Sequence, residues 1–238
     1  MTMIVLVGVS VLSFRGTRDD RPERPQRGDG LTAAPVDPNT PVPQPPPLER
    51  GVDVAAWSES AAERSGVPVR ALSAYAAAEL AQRTDTPDCR LSWSTIAGIG
   101  RVESDHGRYG GATVDTDGVA RPSIIGVPLD GSAGVREIRD TDGGRLDGDT
   151  TFDRAVGPMQ FLPTTWAVYG ADGNGDGVRD PQQLDDAALA AARYLCADGR
   201  DTASGQGWWA GVLTYNSSVD YARLVWAAAD RYTEATAA

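Results

Sequence analysis

Glu103 ends the run Ile96-Ala97-Gly98-Ile99-Gly100-Arg101-Val102-Glu103. On a helix Ile96, Ile99, Gly100 and Glu103 fall at i, i+3, i+4 and i+7, so the carboxylate shares a face with apolar side chains. Desolvation penalises the charged carboxylate, and the C-terminal turn of a helix disfavours negative charge. Both effects are expected to push its pKa up, as a general acid working near neutral pH requires. The competing reading is a solvated Glu at a frayed helix end, or one paired with Arg101 or Arg108. The single histidine, His106, has no evident triad partner and is expected on the rim of a site. One His and two Cys are too few ligands for a usual zinc centre.

A second chemistry is written in Asp172-Gly173-Asn174-Gly175-Asp176-Gly177-Val178. Oxygen donors at positions 1, 3 and 5, Gly at 6 and a carbonyl at 7 match the start of an EF-hand calcium loop. The twelfth residue is Gln183 rather than the usual bidentate Glu. A lengthened loop closed by Asp186 is therefore expected, with Asp172, Asn174, Asp176, Val178 and Asp186 as ligands and calcium in a structural role. Without a closing carboxylate the segment would be an Asn/Asp/Gly turn with no metal. Cys89 and Cys196 lie far apart, and in an exported chain a disulfide is the natural reading. Two unlinked buried thiols are the alternative.

The elements that must position these residues are mostly helical. Asp53 can cap a helix carrying Val54 and Trp57, and Pro68 suits the first turn of one carrying Leu72, Tyr75, Ala76 and Leu80. Further helices are expected over 186–197, 208–215 and 219–232. Between 110 and 153 Gly and Asp are dense, and the short apolar run Ser123–Val127 suggests a β-hairpin or long lid. The fold class is thus mainly α (α+β), a single helical domain over 51–238 with a hairpin or lid insertion and an EF-hand-like loop.

Net charge is −11 over 238 residues, and all 22 cationic side chains are Arg. That balance argues against nucleic acid or an anionic membrane surface as the main partner. Residues 1–14 are almost wholly apolar and uncharged. They read as a signal-anchor or a signal peptide, with a buried strand as a further alternative. Residues 15–50 read as a disordered Pro-rich linker, since nine of the 16 prolines lie between Pro22 and Pro47. Such a tether at about 3.1 Å per residue would hold the domain up to roughly 80 Å from a membrane.

Three ordered segments then converge. Glu103-Ser104-Asp105-His106-Gly107, Ala155-Val156-Gly157-Pro158-Met159-Gln160-Phe161-Leu162-Pro163-Thr164-Thr165-Trp166 and Thr214-Tyr215-Asn216-Ser217 resemble the motifs of lytic transglycosylases. That family has a lysozyme-like fold and cleaves peptidoglycan glycan strands. The calcium-type loop after the second motif looks most like the membrane-bound lytic transglycosylase B group, and the Lys-free composition looks actinobacterial. The resemblance implies Glu103 as the single catalytic acid. Ser104, Met159, Gln160, Phe161, Tyr215 and Asn216 would meet substrate or line the cleft. No cofactor would be needed for catalysis, and a monomer acting outside the cytoplasm, anchored or secreted, is implied. The rival readings are a hydrolytic muramidase using Asp147, Asp149 or Asp153 as a second carboxylate, a non-catalytic peptidoglycan-binding module, and a calcium-regulated interaction protein.

Overall fold

Ser92 accepts a hydrogen bond from the Thr95 amide and so starts α3 (Trp93–Ser104), the helix that carries Glu103. The computed structural model describes residues 31–132 and 136–237, and the segment 1–14 lies outside them. Almost all of α3 is buried, Trp93 to Gly100 without interruption. It is enclosed by α2 (Val69–Asp85) and α7 (Val219–Thr236). Around α2 pack α1 (Val54–Ser65) and the alanine-rich α5 (Leu184–Leu195), with α4 (Pro163–Tyr169) and α6 (Gly205–Tyr215) against α5. Small side chains on α2 and α5 let the two backbones approach closely. Trp208 of α6 is fully buried, yet its indole N–H reaches Thr95 Oγ1 at 3.1 Å, so its polar end is satisfied.

The expected mainly α architecture is therefore present. Asp53 caps α1 through the Ala56 amide, as expected. Pro68 stands at the N-cap of α2 rather than inside its first turn. Cys89 and Cys196 form the disulfide, with Cα atoms 5.5 Å apart. It ties the turn before α3 to the end of α5 and is expected to contribute about 4–5 kcal/mol on the loop-entropy account.

Two expectations need correction. The hairpin consists of β1 (Thr113–Val114) and β2 (Ala120–Arg121), upstream of the apolar run that suggested it. Ser123–Val127 forms only an isolated bridge through Ile125 to Val156, because Ile124 sinks into a small cluster with Ala112 and Ala120. Residues 15–30 of the Pro-rich segment lie outside the described residues, and residues 31–50 are not a free tether but lie against the domain. Val36, Pro43, Pro45 and Leu48 are buried there. An extended proline-rich chain makes no internal hydrogen bonds, so its carbonyls are open to outside donors. Arg223 Nε takes Val36 O (3.2 Å), Trp226 Nε1 takes Pro41 O (3.3 Å), and Arg83 takes Leu48 O.

Candidate active site

Glu103 lies in the last turn of α3, only 9% exposed, where Tyr221 of α7 donates its hydroxyl to Oε1 at 2.6 Å. The chain then reverses through three consecutive left-handed residues, Asp105 (φ 54°), His106 (59°) and Gly107 (85°). Ser104 holds this reversal. Its Oγ accepts from the Gly107 amide (2.8 Å) and donates to Pro158 O (2.5 Å). Ser104 thus joins the first motif to the second and is committed to structure rather than offered to substrate. Arg101 and Arg108 both hold the Asp105 carboxylate.

His106 is not on the rim. It is 2% exposed, with Nδ1 3.1 Å from the Tyr75 hydroxyl and Nε2 3.0 Å from the Tyr232 hydroxyl. Burial, then the charges of Arg108 and Arg101, hold its pKa well below the usual histidine range, so the ring is neutral. Gly100 makes room for this cluster: a Cβ there would sit 2.2 Å from the Tyr75 hydroxyl. Burial likewise pushes the Tyr75 phenol far up, keeping it protonated.

The second motif is a tight turn in which Val156 and Phe161 exchange backbone hydrogen bonds of 2.8 and 3.0 Å. Gly157 (φ 77°) lets Pro181 approach so closely that a Cβ would lie 1.7 Å from its carbonyl oxygen. Met159 is fully buried and Phe161 is 2% exposed, so both pack beneath the site instead of lining an open cleft. Gln160 is half-buried in a left-handed conformation (φ 51°), with Nε2 donating to Gly157 O at 3.1 Å.

The third motif closes the constellation. Tyr215 donates to Met159 O at 2.7 Å, and its own pKa is pushed well up by burial and by the neighbouring Glu103 carboxylate. Asn216 ends α6 and accepts from the Ser218 amide at 3.0 Å, capping the turn into α7. Glu103, Ser104, the 156–161 turn and Tyr215 are thus brought together, with Asn216 beside them. Tyr221 escaped the sequence reading. Its signal was present: Tyr221, Ala222, Val225, Ala228 and Tyr232 share the buried face of α7, and a phenol on an apolar face needs a hydrogen-bond partner.

Asp186, expected as the closing residue of the oxygen-rich loop, is 1% exposed and accepts from the Gly173 amide (2.6 Å) and the Asp180 amide (2.9 Å). Asp185 instead pairs with Arg70. Asp172, Asn174 and Asp176 accept loop amides at 2.7–3.1 Å, and among the described residues no three acidic, His or Cys groups are gathered about one point. Carboxylate, amide and carbonyl oxygens are the donors calcium takes, so the donor types fit that ion, while the carboxylates are turned onto amides. The loop's end also braces the site. Gln182 exchanges two hydrogen bonds with the Ile124 backbone (2.9 and 3.1 Å), and Ile124 O receives the Gly157 amide at 2.8 Å.

No curated protein matches the chain. Among solved structures it is similar to the Escherichia coli lytic transglycosylase Slt35 in complex with bulgecin A. That match has 14% identity, TM-score 0.42, and covers 78% of this chain and 81% of that one. The calcium complex of Slt35 gives 15% identity, TM-score 0.43 and the same coverage. SltB3 from Pseudomonas aeruginosa in complex with NAG-anhNAM-pentapeptide gives 18% identity and TM-score 0.38, over 76% of this chain and 67% of that one. Residues 147–212, from the acidic loop through the second motif to α6, match the family model of the Transglycosylase SLT domain.

Proposed function

We propose that this protein is a peptidoglycan lytic transglycosylase that cleaves the bond between N-acetylmuramic acid and N-acetylglucosamine and leaves 1,6-anhydro ends. The observation that carries the reading is the convergence on Glu103: Tyr221 on its carboxyl, Ser104 bonded to the Pro158 turn, and Tyr215 bonded to Met159 within the field of Glu103. Glu103 protonates the glycosidic oxygen as the bond breaks through an oxocarbenium-like state. The resulting carboxylate then takes the proton of the muramic C6 hydroxyl, which attacks C1 and closes the anhydro ring. Tyr221 orients the carboxyl through both steps, and the enclosure limits competing water.

A hydrolytic muramidase would need a second free carboxylate, and the candidates are otherwise engaged. Asp153 is fully buried and accepts from the Thr141 amide and hydroxyl at 2.9 and 2.7 Å. Asp147 accepts from the Asp149 and Arg154 amides at 3.0 and 2.7 Å. Asp149 takes the Thr151 and Phe152 amides and the Arg154 guanidinium. All three hold the 140–154 loop in shape.

The group affinity to membrane-bound transglycosylase B and the actinobacterial source belong to this proposal, as does work outside the cytoplasm with residues 1–14 as anchor or leader. Calcium, held by Asp172, Asn174, Asp176, the Val178 carbonyl and Asp186, would stiffen the loop under the 156–161 turn without entering the chemistry. The test is digestion of purified peptidoglycan with mass spectrometry of the product ends. Wild type is expected to give anhydro ends and Glu103→Gln none. Tyr221→Phe should lower kcat about 10- to 100-fold, the worth of one hydrogen bond to a charged group. Reducing ends from wild type would replace this reading with hydrolysis.

A further inference from the structure

Residues 31–50 form a strap whose bonds fall on the outer side of α7. Arg223 and Trp226, three residues apart on that side, donate to Val36 O at 3.2 Å and to Pro41 O at 3.3 Å. The Arg223 carbonyl in turn accepts from the Ala34 amide at 3.3 Å, so the strap holds this one residue by main chain and side chain together. Successive helical residues turn by about 100°, which puts Arg223 across the helix from Tyr221 and Val225. Those two are buried and lie one turn apart on the inner side.

Helices α3 and α7 meet backbone to backbone at a single crossing, where a Cβ on Gly98 would lie 2.7 Å from Val225 O. Such a contact sets the separation of the helices but leaves their angle to be fixed elsewhere. Tyr221 precedes the crossing by four residues, about 6 Å along the axis. A tilt of roughly 10° about the crossing would move it by about 1 Å. The 2.6 Å bond to Glu103 would then be stretched beyond hydrogen-bond reach.

The strap has anchors of its own. Asp37 closes a turn by accepting from the Asn39 and Thr40 amides at 2.8 and 2.9 Å. Gly205, the first residue of α6, lets Pro38 seat against that helix, because a Cβ there would run into Pro38 O. Further along, the Leu48 amide meets Glu79 of α2 at 3.0 Å. The strap thus braces α7 against α6 and α2. Resting on the transglycosylase reading, we propose that the strap is a positioning device for the reaction: by clamping Arg223, it holds the first turns of α7 at the angle that keeps Tyr221 on Glu103. Arg223 is then a positioning residue, acting through Tyr221 rather than on substrate.

The test uses the full chain and soluble glycan strands, with kcat and KM read from the release of anhydro ends. Arg223→Met keeps the length of the side chain and removes its donors. The pair it also breaks, with Asp220 at 3.3 Å, is exposed and contributes little. Ala34→Pro removes the amide that meets the Arg223 carbonyl. Each change should lower kcat about tenfold with KM unchanged, part of the roughly hundredfold that a 1 Å misplacement can cost. Arg223→Lys, which keeps a donor, should recover most of the loss. In a chain already carrying Tyr221→Phe, the same changes should cost nothing further, because the bond they position is gone. Amides of residues 222–225 should exchange faster in both strap variants, and melting curves confirm that these variants fold. Undiminished kcat in both, or an equal loss with and without the Tyr221 hydroxyl, overturns the proposal. If wild type releases no anhydro ends, the transglycosylase reading falls instead, and amide exchange still reports whether the strap holds α7.

Discussion

At the scale of single residues, His106 is the side chain whose surroundings differ most from what its sequence neighbours suggested. A neutral imidazole donates from one nitrogen and accepts at the other, so between Tyr75 and Tyr232 it can satisfy one phenol in each sense. Its amide also returns to Gly100 O at 2.9 Å, which fixes the reversal directly behind Glu103. The sign of its effect on stability follows from linkage. Unfolded histidine titrates near 6.5, whereas folded His106 is held well below that, so between the two values the unfolded chain binds the extra proton. The contribution is fully present above about pH 6.5 and is lost as pH falls below it, at up to about 1.4 kcal/mol per pH unit. Urea unfolding of wild type and His106→Gln between pH 7.5 and 5.5 should show this slope as the difference between the two proteins. Glu79 and Asp186 have raised pKa values through burial and titrate with the opposite sign, but they are present in both proteins and cancel in the difference. Equal slopes would mean that His106 does not change protonation on unfolding. No sequence signal announced this placement, because three consecutive left-handed residues depend on tertiary contacts. Glu103 was readable for the opposite reason, its face being set by helical period alone.

At the scale of elements, periodicity and caps located α1, α2, α3, α5, α6 and α7, since each repeats its apolar residues over several turns. The seven-residue α4 is too short for such a repeat, although Pro163 at its first turn was a fair sign. The hairpin was displaced because an apolar run looks the same whether it pairs as a strand or sinks into a small cluster from irregular chain. Between 140 and 154 the backbone is held by Asp side chains on nearby amides, a local pattern that defines turns but no element. In the 172–186 loop the spacing of oxygen-bearing residues was readable, while the amides that Asp186 accepts are contacts that no spacing announces. If calcium binds there, it favours the folded state by RT ln(1 + [L]/Kd), about 2.7 kcal/mol at one hundred times Kd. Thermal melting in millimolar calcium against chelator should then show a higher Tm with the ion, and Asp176→Ala should abolish the difference. The same Tm in both buffers would leave the loop as a hydrogen-bonded turn.

At the scale of the whole molecule, the proline-rich strap joins the chain's approach to the domain with the helix that bears Glu103. The link passes through Glu79, which is 2% exposed and divides its carboxylate between two amides: Leu48 N to Oε1 at 3.0 Å, and Trp93 N, at the first turn of α3, to Oε2 at 2.8 Å. Arg83 stands 3.6 Å from the same group and also takes Leu48 O. Composition alone could not reveal this, because prolines that suit a free linker equally suit a strap whose carbonyls meet donors on a folded surface. A protein beginning at residue 51 would lose the Leu48 amide from a buried carboxylate, about 1–3 kcal/mol, and would expose the apolar surface beneath Val36 and Leu48. At about 2–4 °C per kcal/mol for a domain of this size, its Tm should fall by roughly 5–10 °C relative to a protein beginning at residue 31. The latter should melt with the full chain, since it keeps every strap contact described. Matching Tm values for the two truncations would show that the strap adds nothing to the domain, and the folded unit would then begin where the helices do.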